Sequence, residues 1–162
     1  MCIVIDINSL AMVFNEDNAR HADFSSVKSW IDGRCGFVVY GGTKYKAELA
    51  ETVRYMRLLR LMRDAGQAIS IRDEAVDEIE RTVREKTNGT DCDDQHIIAL
   101  LGAARCPLLC SVDNRSFEFV KDRSLYPKGA PVVKIYTSAR NRKLLKKADP
   151  KSLRNIENCA TL

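Results

Sequence analysis

The stretch Cys2-Ile3-Val4-Ile5-Asp6-Ile7-Asn8 decides the fold class. Its first four residues are apolar, three of them β-branched, and no polar position alternates with them. A strand built from such a run has no face to show water, so both faces must be covered, which is the condition of a strand inside a parallel sheet. Working outward, similar short runs recur at Phe37-Val38-Val39-Tyr40, Ala68-Ile69-Ser70-Ile71, residues 108–112 and Val132-Val133-Lys134-Ile135-Tyr136. Helical segments are expected between them, over 9–15, 23–32, 43–64 and 73–86. The third carries Leu49, Val53, Met56 and Leu59 at helical spacing and starts at Thr43, a capping residue; the fourth turns Val76, Ile79 and Val83 inward. A further helix, capped by Thr90 or Asp91, carries Ile97, Ile98 and Leu101, and Ser116–Lys121 reads as a helical turn. This alternation predicts an α/β fold in three layers, with a central, mainly parallel sheet of four or five strands and residues 2–6 in a central position.

The 162 residues suit one domain with a sizeable core. The 45% apolar and 30% charged content is that of a globular protein. No apolar run approaches the roughly 18 residues needed to span a bilayer, so no membrane association is expected. No basic segment precedes the first apolar run, so no signal peptide is read and a cytoplasmic location is expected. The six cysteines include no CxxC pair and read as reduced, mostly buried thiols. The net charge of +4 is unevenly placed. Residues 138–162 hold seven basic side chains (Arg140, Arg142, Lys143, Lys146, Lys147, Lys151, Arg154) against Asp149 and Glu157, a net of +5 that leaves the remainder at −1. The division expected is a main domain over 1–137 and a basic extension over 138–162. In that extension Leu144, Leu145, Leu153 and Ile156 act as anchors, and Arg142, Lys143, Lys146 and Lys147 as contacts to nucleic acid or a partner.

Four acids stand out by position. Asp6 ends the first strand. Glu48 lies on the border of an apolar helix face. Asp94 precedes Ile97 and Ile98 by three and four residues and shares their inward face. Asp113 follows the strand that ends in Ser111-Val112. Each has an ordinary explanation alone: a turn former, a surface charge, a complement to a helix dipole. Together they place carboxylates at the carboxyl ends of buried strands and near helix starts, where ligands bind in open α/β sheets. Acids gathered there repel one another unless a cation lies between them, and oxygen ligands suit magnesium and manganese. Asp91 and Asp93 stand in reserve for Asp94.

At these residues the chain resembles the PIN-domain nucleases, a fold of many bacterial toxin ribonucleases and RNA-processing enzymes. The resemblance is carried by Ile3-Val4-Ile5-Asp6-Ile7-Asn8, Tyr45-Lys46-Ala47-Glu48-Leu49, Asp94-Gln95-His96-Ile97-Ile98-Ala99-Leu100 and Leu109-Cys110-Ser111-Val112-Asp113, in that order across residues 2–120. It implies that Asp6, Glu48, Asp94 and Asp113 are catalytic and bind one or two Mg²⁺ or Mn²⁺ ions, with Asn8 and Ser111 supporting them. It implies a ribonuclease that hydrolyses RNA phosphodiesters, either the toxin of a toxin–antitoxin pair or an RNA-processing enzyme. Its partners would be RNA and an antitoxin or other regulatory protein, and a homodimer is compatible with it. The Gly41-Gly42-Thr43-Lys44 segment before the Glu48 helix differs from the commoner toxin pattern, and the basic extension has no counterpart there.

Lys44, Lys46 and Arg115 lie near these acids in sequence and are candidate phosphate contacts. His96, offset from Asp94, reads as a helix-surface or supporting residue rather than a metal ligand. No nucleophilic side chain stands out, since Ser111 and Ser116 have no histidine at a triad spacing. The alternative to an enzyme is a non-catalytic module of the same fold that binds nucleic acid or regulates. A phosphatase would want Asp-x-Asp where this chain has Asp6-Ile7-Asn8, and a phospho-receiver would want paired acids at the first strand.

Overall fold

The computed structural model describes residues 1–147. Five parallel strands form one sheet in the order β3-β2-β1-β4-β5, with β1 Cys2–Ile5, β2 Phe37–Gly41, β3 Ala68–Ile71, β4 Leu108–Cys110 and β5 Lys134–Tyr136. β1 is central, paired with β2 on one side and β4 on the other. Ile3, Val4 and Ile5 have no exposed surface, as a run without a polar face requires.

The helices are α1 Leu10–Phe14, α2 His21–Asp32, α3 Thr43–Ala50, α4 Val53–Asp64, α5 Asp73–Lys86, α6 Gln95–Ala103 and α7 Phe117–Lys121, with short 3-10 turns between. From β1 through β2 to β3 the chain moves steadily toward one edge of the sheet. It then returns through α5 and α6 to β4 on the other side of β1. Right-handed crossovers on an outward and a return path cover opposite faces, which gives the three layers. None of the described helices is long and apolar enough to cross a membrane.

The segment expected as one helix over 43–64 is two. It breaks at Thr52, whose φ of −117° and ψ of 79° leave the helical region. The β-branched pair Thr52-Val53 stands at the break, where helix preference is weak. Thr43 is the first helical residue, not the cap: the backbone cap of α3 is Gly42, and carboxylates of α5 take over the side-chain role. The cap of α6 is Asp94, not Thr90 or Asp91. The fifth strand starts at Lys134 rather than at Val132, which is 61% exposed. The fourth ends at Cys110, two residues short of the expected run.

Residues 139–144 of the basic extension form a 3-10 segment packed on α2 and β5. Trp30 Nε1 donates to the Lys146 carbonyl at 2.9 Å, and the Ala139 N–H donates to Asp23 Oδ1 at 3.4 Å. Leu144 and Leu145 pack against the core as anchors, while Arg142, Lys143, Lys146 and Lys147 are exposed. Leu153, Ile156, Lys151 and Arg154 lie outside the described residues. Cys2, Cys92, Cys106 and Cys110 are buried and Cys35 is half-buried, all as free thiols; Cys159 also lies outside the described residues.

Candidate active site

The strand order reverses at β1 and β4: the chain leaves these adjacent strands toward opposite edges. A crevice opens at the carboxyl ends of two such strands, and ligands of open α/β sheets bind there. Asp6 follows β1 and Ser111 follows β4. Both are buried, at 8% and 0% exposure. Ser111 Oγ donates to Asp6 Oδ2 at 2.8 Å and accepts from the Asp113 N–H at 3.2 Å. The Asn8 N–H donates to Asp6 Oδ1 at 3.3 Å. One hydroxyl therefore orients the first acid and fixes the start of the turn that carries the fourth.

Tyr45 seats α3 over the same crevice. Its ring is fully buried and its hydroxyl donates to the Ile5 carbonyl at 2.7 Å, the last carbonyl of β1. Glu48, three residues on, faces the crevice one helical turn away. Its Oε1 pairs with Lys44 Nζ at 3.1 Å, and its Oε2 lies 3.2 Å from His96 Nε2. Asp94, at the start of α6, uses no oxygen to cap its own helix, and the nearby Ser116 hydroxyl donates to the Asp113 carbonyl at 2.9 Å. Asp113 is held by Arg115 through two side-chain bonds, 3.0 and 2.6 Å long.

Asp6, Glu48, Asp94 and Asp113 line one cleft of ≈ 540 Å³, together with Asn8, Lys44, Glu51, Thr52, Asp93, His96 and Arg115. Burial pushes the Asp6 carboxyl up, against the hydrogen bonds from Ser111 and Asn8 that favour its charged form. Burial also pushes Asp94 up, and the charge of Asp6 adds to it. Asp113 goes the other way, lowered by the Arg115 guanidinium. The inner half of the cleft thus holds two carboxyls whose ionised forms burial disfavours, while the outer acids pair with Lys44 and Arg115.

Among the described residues no three His, Cys, Asp or Glu side chains are gathered as a ready ligand group for a metal ion. The four acids share a cleft, but Glu48 is drawn onto Lys44 and His96, and Asp113 onto Arg115. The donor set itself fits a hard divalent cation: it is all carboxylate oxygen, and a cation would relieve the burial of Asp6 and Asp94 and the repulsion that Asp6 exerts on Asp94.

Of the other sequence candidates, Lys44 and Arg115 line the cleft and Lys46 does not: it pairs with Asp73 at 2.7 Å. Asp94 keeps its place. Asp93 is also on the lining and 3.9 Å from Arg115, whereas Asp91 is exposed and outside it. His96 is not a helix-surface residue. It is 4% exposed, and its Nδ1 has no hydrogen-bond partner among the described residues. The signal for it was a histidine directly before the apolar run Ile97-Ile98-Ala99-Leu100-Leu101, and every position from His96 to Gly102 is buried. Comparisons with protein-family models, with curated proteins and with solved structures find no match to this chain.

Proposed function

We propose that the chain is a metal-dependent endoribonuclease of the PIN-domain type, acting on RNA at the cleft between β1, β4, α3 and α6. The observation that carries this reading is the Asp6–Asp94 pair. Both acids lie at the topological switch point, both are raised by burial, and Glu48 and Asp113 line the same cleft. A bound Mg²⁺ or Mn²⁺ would polarise the scissile phosphate and make water a better nucleophile near neutral pH. Asp6 and Asp94 would hold one or two such ions, with Ser111 and the Asn8 N–H fixing the orientation of Asp6. Glu48, on the cleft lining with His96 beside it, is the group suited to take a proton from water once Lys44 turns to the substrate. Lys44 and Arg115 would turn from their acid partners to the phosphates of the substrate, Arg115 with a fork that matches two phosphate oxygens. The biological setting that fits is a cytoplasmic toxin restrained by a partner protein, or an RNA-processing enzyme.

A second reading, a non-catalytic RNA-binding module, is favoured by one observation: Glu48 and Asp113 are already tied to cations of the chain itself. Incubation of the purified protein with mixed RNA and Mn²⁺, with and without chelator, separates the two. Cleavage that chelator stops and that Asp6→Asn or Asp94→Asn lowers by about 10²-fold or more supports the enzyme. RNA bound but intact at every metal concentration supports the module. Cleavage unchanged in both variants excludes this site.

A further inference from the structure

α4 carries a surface of a different kind. Between Val53 and Arg63 it has four arginines and no acid. Arg63 pairs with the neighbouring Asp64, and Arg54 lies over the Tyr55 ring. Arg57 and Arg60 have no ion-pair partner among the described residues. The same helix supplies two of the three large hydrophobic side chains most exposed in the described chain, Val53 at 69% and Leu61 at 62%. Val53, Arg57 and Leu61 are spaced i, i+4, i+8, so they form one ridge, apolar–cationic–apolar. Arg54 and Leu58 form the neighbouring ridge. Arg54, Tyr55, Arg57, Leu58 and Leu61 line a groove of ≈ 260 Å³ together with Phe14 of α1. A single exposed leucine means little, but a row of apolar side chains interleaved with unpaired arginines along a groove is a binding face.

The geometry points to an acidic amphipathic helix of a protein partner as the occupant. Its apolar stripe would lie on Phe14, Leu58 and Leu61, and its flanking carboxylates would meet Arg54, Arg57 and Arg60. Two turns of a partner helix match the roughly 12 Å from Val53 to Leu61. A second copy of the chain is a poor fit, because a two-fold contact through this face would set arginine against arginine. A nucleic acid strand would use the arginines and leave Val53 and Leu61 in water. The inference does not rest on the nuclease reading.

The test uses the full chain and a labelled synthetic peptide with Leu at i, i+3, i+4 and i+7 and Glu elsewhere. A scrambled peptide of identical composition and an oligouridylate serve as the other probes, all followed by fluorescence anisotropy. The expected result is saturable binding of the amphipathic peptide at least about tenfold tighter than the scrambled one. Arg57→Glu and Leu61→Asp, both at exposed positions, should each weaken it by about tenfold. A peptide with Lys in place of the facing Glu should recover affinity for Arg57→Glu. Equal binding of the scrambled peptide overturns the proposal, as does no binding of the amphipathic peptide at concentrations up to about 1 mM. Oligouridylate bound at this face in preference to the peptide, and lost in Arg57→Glu, overturns it in favour of a nucleic-acid track.

Discussion

Ser111 Oγ donates to Asp6 Oδ2 at 2.8 Å, joining residues 105 positions apart across the ends of two neighbouring strands. The serine is inaccessible to solvent, so nothing replaces the bond if the hydroxyl is removed. Ser111→Ala should therefore raise the Asp6 pKa further, because the lost bond favours the ionised form. It should also cost about 1–3 kcal/mol of stability at pH 7, as hydrogen bonds to charged groups do. Carboxyl-carbon NMR titration and urea unfolding read the two effects. An unmoved Asp6 titration would show that the hydroxyl does not support the carboxylate.

The turn from β2 into α3 depends on close backbone approach. A Cβ on Gly42 would lie 2.6 Å from Val76 Cγ1 of α5, at a φ of +87°. Gly66 has a similar φ of +73° but nothing within 4 Å. Gly66→Ala should cost about 1–2 kcal/mol for the left-handed conformation alone. Gly42→Ala adds a clash with a side chain inside the core, and should cost about 1–3 kcal/mol more. Denaturant midpoints at equal slope measure the difference. Equal costs would mean that α5 yields freely to the new methyl group.

The parts of this architecture that were legible in the sequence are those set by local pattern. Residues 2–5 lack a polar face, so their central place in the sheet follows from burial alone. Asp6 and Asp113 were legible because strand ends are where open sheets bind ligands, and Glu48 because it borders a helix's apolar stripe. The rest depends on contacts between distant segments. The break at Thr52 is hidden because Val53 and Met56 keep the apolar spacing of one long helix, yet Val53 points into water. His96 reads as either a surface or a supporting residue until the neighbouring elements close over it and bring Glu48 to 3.2 Å. Lys46 is two residues from both Lys44 and Glu48, and only the position of Asp73 explains why it leaves the cleft.

The cap of α3 is the clearest case of such a non-local effect, and it can be tested. Asp77 Oδ1 accepts from the Thr43 N–H at 2.9 Å and Oδ2 from the Thr43 hydroxyl at 2.6 Å, from 34 residues away. Asp73 accepts from the Gly42 N–H at 3.0 Å. These acids supply what a local capping side chain usually does, and their charge complements the helix dipole. Asp77→Ala should lower stability by about 1 kcal/mol. It should also speed amide exchange at Thr43 and Lys44, in the first turn of α3. Unchanged exchange there would mean that Asp73 and Tyr45 hold α3 without Asp77.

The charge balance of the cleft gives the last prediction. Asp6 and Asp94 both lie above the ordinary aspartate value of 3.8, with burial the leading cause. The folded chain therefore binds these protons more tightly than the unfolded chain. Their contribution is most favourable below 3.8 and is lost as pH rises through the two folded values. Asp113 has the opposite sign: lowered by Arg115, it stabilises above 3.8 and loses that as pH falls, but its exposure to solvent keeps the effect small. In chelator at pH 7, Asp94→Asn should thus be more stable than the parent, read as a higher Tm. Its stability should also fall less steeply as pH rises. With Mn²⁺ the order should reverse: the parent gains Tm by mass action on its cation, and the variant gains little. Thermal unfolding at pH 5 and 7, with chelator or Mn²⁺, reads both halves. A parent protein insensitive to Mn²⁺ would remove the metal from the proposed function, whereas an Asp94→Asn variant less stable in chelator would show that the carboxylate is held favourably without any ion.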